Sequence, residues 1–223
     1  MRPVRCIPLV MLALCLISTT ALAATEFGVI AGFNFANLRI ENQSDLTGRS
    51  TFAIGGVADF GINDRFGIRV EPTFLSKGTK ATQRNAYWST MDGAVFDLDY
   101  IDVPILARYD LGEREVTHSY FLGGLGVSIA TKQEAELTQG PETETVDMGD
   151  VLNPMDVSLD LGAGVSFPVG RNNRLTIDGR AAIGLININD GGTITFDGAP
   201  LAVPATSTHT LDFRLMATYL FPR

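Results

Sequence analysis

The chain contains only two imidazoles, His118 and His209, and one of them has a nucleophile close by in sequence. Ser207 stands two residues before His209, a pairing that could attack an acyl ester with the histidine as base. A third group to orient the imidazole cannot be identified, so a lipid hydrolase built on His209 is the alternative reading and no catalytic residue is assigned. His118 falls in a turn and reads as a solvated polar side chain. Both cysteines, Cys6 and Cys15, belong to the apolar N-terminal stretch, which leaves no thiolate for a metal or a nucleophile once that stretch is removed. No metal-ligand spacing or phosphate-cradling glycine loop occurs, and no cofactor is expected. With 17 Lys and Arg against 25 Asp and Glu, a net charge of −8, nucleic acid is excluded as a natural partner.

The remaining charges recur at a period of two. Asp59, Arg69, Glu71, Asp102, Arg108, Asp160, Asp178, Arg180, Asp212 and Arg214 all fall on one face of alternating segments, among glycines and small residues. Arginines and carboxylates on one confined face can form bidentate ion pairs with each other. The short turn Asn63-Asp64-Arg65 sets Asp59 opposite Arg69, and these two are expected to pair. Elsewhere, Glu134, Glu136, Glu142, Glu144, Asp147 and Asp150 populate a stretch over 133–153 that reads as a mobile, solvated loop. Bridging by divalent ions to anionic lipopolysaccharide is its other reading. A second loop holds Tyr87, Trp88, Met91 and Phe96, with Trp88 the candidate contact for a partner.

Eight segments must position these groups. Each alternates large apolar residues with small or polar ones, as a strand with two unlike faces does. Examples are Phe27, Val29, Ala31, Phe33 and Phe35 in the first and Leu211, Phe213, Leu215, Ala217, Tyr219 and Phe221 in the last. Connections after even-numbered segments are short, and those after odd-numbered ones are expected to run to a dozen residues or more. That asymmetry is typical of outer-membrane barrels and predicts that both termini face the periplasm. A soluble eight-stranded barrel with its apolar faces turned into the cavity would show the same alternation, so the faces must be assigned. The opposite arrangement fits better, because glycines beside long charged side chains suit a narrow taper while the apolar face meets lipid. Aromatics at both ends of the segments form two belts, Phe27, Phe60, Phe66, Tyr109, Phe121, Phe167 and Tyr219 at one and Phe35, Phe52 and Phe74 at the other. The fold class is therefore all-β, an eight-stranded antiparallel up-and-down transmembrane β-barrel.

Residues 1–23 read as a secretory signal, with Arg2 and Arg5 before an apolar core and Ala21-Leu22-Ala23 at the cleavage site. Leu14 before Cys15 disfavours a lipoprotein. Residues 24–223 form the barrel domain, and Tyr219-Leu220-Phe221 provides an aromatic-x-aromatic signal for the barrel-assembly machinery, although Pro222-Arg223 follow it.

Three stretches carry a family resemblance. Tyr100-Ile101-Asp102-Val103-Pro104-Ile105-Leu106-Ala107-Arg108-Tyr109, Tyr120-Phe121-Leu122-Gly123-Gly124-Leu125-Gly126-Val127 and Arg180-Ala181-Ala182-Ile183-Gly184-Leu185-Ile186-Asn187-Ile188 are similar to strands of the outer-membrane β-barrel domain proteins. That family includes PorT-type secretion accessories. The resemblance implies the fold and a place in the bacterial outer membrane among lipid and lipopolysaccharide. The residues themselves lead to the expectation of a non-enzymatic role, structural or partner-binding through the outer loops and including an accessory role in secretion, with a lumen closed by its own charges. A narrow pore is the remaining alternative.

Overall fold

The computed structural model describes residues 24–40, 46–81, 92–170 and 172–221. The segment read as a signal, the loop residues Tyr87, Trp88 and Met91, and the terminal Pro222-Arg223 lie outside the described residues. Strands are β1 (Ala24–Ile40), β2 (Leu46–Gly61), β3 (Phe66–Val70), β4 (Thr73–Ala81), β5 (Gly93–Asp110) and β6 (His118–Gln139). The chain continues with β7 (Glu142–Asp147), β8 (Met155–Val169), β9 (Asn173–Gly184), β10 (Gly192–Phe196), β11 (Ala199–Val203) and β12 (Thr208–Leu220).

Eight staves close into a ring, all neighbours antiparallel: β1, β2, β3 with β4, β5, β6, β8, β9 and β12. The closing seam runs from Gly28 opposite Leu220 to Ile40 opposite Thr208. β3 and β4 are one stave broken at Glu71-Pro72, since Pro72 has no N–H for the ladder; its carbonyl still accepts a hydrogen bond from Gly56 at 3.0 Å. Both pieces pair with β2 on one side and β5 on the other.

The alternating faces sort as their chemistry requires. Phe27 is 62% and Phe52 73% exposed on the outer wall, whereas Asp59, Arg69, Asp102, Arg108, Asp178 and Arg214 are buried inside. An unbroken apolar wall of this kind is stable only against hydrocarbon. No helix among the described residues is long and apolar enough to cross a membrane; the wall is made of strands. Without a free edge, detergent cannot unzip the sheet. Unboiled protein should therefore migrate differently from boiled protein in gel electrophoresis, and identical migration would contradict the closed ring.

The long joins differ from the sequence expectation. Strands extend past the apolar band, so the join between β1 and β2 covers only 41–45. The stretch 133–153 is an ordered hairpin of β6 and β7 and its following turn, with Glu136 opposite Thr145 and Glu134 opposite Asp147. It is not the mobile loop its acidity suggested. A bulge explains why the alternation hid it. Asp99 pairs with Lys132 and Tyr100 with Ala130, so Thr131 is extra and the inward positions of β6 switch from even to odd numbers. Beyond β9, Asp197 and Gly198, with φ of 49° and 68°, form the two-residue turn between β10 and β11.

Candidate functional site

Inside the barrel, the charged side chains gather in two groups. The lower group, on the side of the short turns, is built around Tyr120. Arg108 and Arg69 stack on its ring, with guanidinium carbons 4.2 and 5.5 Å from the centroid. Arg69 donates to Asp59 Oδ2 from Nη2 at 2.8 Å and Nε at 3.2 Å, across the register the turn imposes. Asp59 Oδ2 also accepts from Arg108 Nη1 at 2.9 Å. Arg180 grips Glu71 at 2.5 and 3.3 Å and donates from Nε to Asp178 at 2.7 Å. The Tyr120 hydroxyl completes Asp178 at 3.0 Å. Arg69 Nη1 lies 3.7 Å from Glu71 and 4.0 Å from Asp178, tying the group together.

The upper group starts where Arg180 and Arg214 stand directly opposite each other in the β9–β12 ladder. Like charges at that spacing repel, and here the two forks diverge. Arg180 serves the acids below, while Arg214 reaches Asp102 at 2.6 Å and Asp212 at 3.4 Å, with Asp160 at 3.9 Å. Lys77 joins Asp156 at 2.9 Å and Asp212 at 3.4 Å. Hydroxyls supplement the pairing, Ser128 to Asp102 at 2.6 Å, Ser158 to Asp160 at 3.1 Å and Thr210 to Asp156 at 2.7 Å.

All ten charged residues of the sequence pattern thus lie in the lumen. Five partners were missed as members: Lys77, Asp110, His118, Tyr120 and Asp156. Lys77 belongs to β4, which continues past Phe74 with Leu75, Lys77 and Thr79 facing in. Asp110 is two residues beyond Arg108 and so shares its face; it binds Arg108 Nε at 2.8 Å and Arg114 Nε at 3.1 Å. His118 is not a solvated turn residue. It opens β6, is 6% exposed, and has Nε2 3.0 Å from Asp110 and Nδ1 2.8 Å from the Val116 carbonyl. Continuing the period of two past each strand end, from Arg108 on to Asp110 and from Tyr120 back to His118, would have found both.

Above the charged section the interior turns apolar. Ala94, Phe96 and Leu98 of β5 and Ala135 and Leu137 of β6 face Val146, Met148, Val151 and Leu152 and the β10–β11 residues Ile194, Phe196 and Val203. Phe96 is therefore buried here and not a member of the second loop, because β5 already begins at Gly93. On the outside of this cover, Lys132 is held above its ordinary pKa by hydrogen bonds to Glu134 and Asp97. Among the described residues no three acids or histidines gather around one point to hold a metal ion.

On the outer wall, Ser207 Oγ and His209 Nε2 are 3.3 Å apart. The other ring nitrogen, Nδ1, is buried and has no hydrogen-bond partner among the described residues, so none of them orients this imidazole as a base.

A closed ring of eight staves with an apolar outer wall and an ionic interior defines an integral β-barrel of the bacterial outer membrane. The chain belongs to the family described as "Outer membrane protein beta-barrel domain", whose model matches residues 20–190. No curated protein sequence matches it. Among solved structures it is similar to Ail, the attachment invasion locus protein of Yersinia pestis, in complex with the heparin analogue sucrose octasulfate, at 16% identity over 88% of this chain and 99% of that one, with a TM-score of 0.42. It is similar to Neisserial surface protein A at 14% identity over 87% and 97%, TM-score 0.43. OprG of Pseudomonas aeruginosa is similar at 9% identity over 89% and 95%, TM-score 0.49.

Proposed function

We propose that this protein is a non-enzymatic barrel whose lumen is plugged by its own charges and which works through its outer hairpins and its lipid-facing wall. One observation carries the reading: charged side chains fill the lumen at the level of the apolar band, and each of Arg69, Arg108, Arg180 and Arg214 is at most 2% exposed. Little room is left for a solute in a ring of eight strands. The short turns at one end and the β6–β7 and β10–β11 hairpins at the other favour periplasmic termini. On this reading residues 1–23 are a removed signal, and Tyr219-Leu220-Phe221 engages the assembly machinery. The exposed acids of β6 and β7, and the loop that contains Trp88, are the surfaces offered to a partner outside.

A second reading, a lipid hydrolase using His209, has the Ser207–His209 contact in its favour, and against it an Nδ1 without a partner among the described residues. Replacing His209 by Ala should leave lipid A composition unchanged in cells that produce the protein. Loss of a deacylated species in that variant, with the barrel still folded, would make the protein an enzyme.

A further inference from the structure

The outer wall is not smooth. A groove of about 580 Å³ runs along the lipid-facing side of β9, β12, β1 and β2, between Phe33, Phe52, Ile54, Leu215 and Ile177, where Ala31 and Ala217 leave space. Ala31 and Ala217 are cross-strand partners, as are Phe33 and Leu215, and Ala31 and Ile54, so the groove lies within one continuous patch of the sheet.

The outward positions of the same two staves lead up from it. On β1 they are Phe33, Phe35, Asn37 and Arg39, and on β12 Leu215, Phe213, Leu211 and His209. Arg39 and His209 are again cross-strand partners, and Arg39 is exposed. Eight residues of strand separate Ala31 from Arg39, about 26 Å of path at ~3.3 Å per residue, or roughly 20 Å of depth at a tilt of ~40°. That is the reach of an acyl chain from an outer headgroup to the middle of the bilayer. Phe35 and Phe213, with ring centroids 6.4 Å apart, flank the path.

We propose that the groove seats an acyl chain of lipopolysaccharide, with a phosphate of its head held by Arg39 and hydrogen-bonded by the Ser207–His209 pair. A guanidinium can bind a phosphate through two parallel hydrogen bonds. The occupant is committed to lipopolysaccharide rather than phospholipid because the cationic end of the path is the end away from the short turns. This assignment rests on the orientation given under Proposed function.

The test is native mass spectrometry of the full protein released from vesicles containing lipopolysaccharide, phosphatidylethanolamine and phosphatidylglycerol. The parent should retain one lipopolysaccharide. Arg39→Gln and the groove-filling pair Ala31→Phe with Ala217→Phe should each lower the retained fraction severalfold, while heat-modifiable migration stays intact. Unchanged retention in folded variants, or retention of phosphatidylglycerol in its place, would overturn the proposal. Orientation is read separately, by labelling Thr195→Cys in intact cells with an impermeant maleimide. Absence of label would remove the orientation and this inference with it; label with unchanged lipid retention would remove this inference alone.

Discussion

Replacing Arg180 by leucine should destabilise the barrel by about 5 kcal/mol, and replacing Arg69 by about 3 kcal/mol, because breaking a buried ion pair strands the charge left behind. The order follows from what each arginine leaves. Without Arg180, the only cation left near Glu71 and Asp178 among the described residues is Arg69 at 3.7 and 4.0 Å, beyond hydrogen bonding, and only Asp178 keeps a neutral donor, the Tyr120 hydroxyl at 3.0 Å. Without Arg69, Asp59 keeps Arg108 at 2.9 Å. The sharing also limits rescue. An isolated pair replaced by apolar groups would lose little, but Asp59→Leu with Arg69→Leu takes a carboxylate from Arg108 as well, so this double variant should recover only part of the loss. Urea midpoints in lipid vesicles, with unchanged slopes, would measure all three. An Arg180→Leu protein as stable as the parent would refute the network as a structural element.

The sequence disclosed more of the site inside the membrane than outside it. Asp59 and Arg69 were readable as neighbours because Asn63, Asp64 and Arg65 leave one possible register, which Asn63 fixes by accepting hydrogen bonds at 3.0 and 2.8 Å from the N–H groups of Arg65 and Phe66. What alternation could not disclose was which acid each arginine chooses across the lumen, as with Arg180 and Glu71, 109 residues apart. It also failed where the ladder is irregular. The bulge at Thr131 reverses the inward face of β6, so Ala135 and Leu137, set among the acids of 133–153, turn into the apolar interior. The β10–β11 hairpin had a local signal, Asp197-Gly198 between short apolar runs, that alternation over ten-residue windows passes over. Acidity itself misled. The exposed edge of β6 and β7 carries the acids, while the other face of the same strands contributes to the apolar cover.

Purified protein reconstituted in planar bilayers should give no reproducible single-channel steps. At the level of the apolar wall, the lumen would have to pass an ion between Arg69, Arg108 and Tyr120 below and Arg214, Lys77 and their four acids above. Each of these side chains is buried, and the arginines are fixed by two or more contacts apiece. Opening a path means separating charges in a medium where their attraction far exceeds its value in water. Some carboxylate oxygens, Asp156 Oδ1, Asp160 Oδ2 and Asp212 Oδ1, have no hydrogen bond from the described residues. Single buried waters can satisfy them without forming a continuous file. The apolar cover lies above this section and is not needed for the seal. Removing residues 191–205, which takes away the β10–β11 hairpin, should therefore leave the barrel non-conducting. Replacing Arg69, Arg108 and Tyr120 below together with Arg214 and Lys77 above by alanine should give steps, provided the variant still shows heat-modifiable migration. Steps from the parent would restore the narrow pore as the first reading, and steps from the hairpin deletion alone would place the seal in the cover instead of the charges.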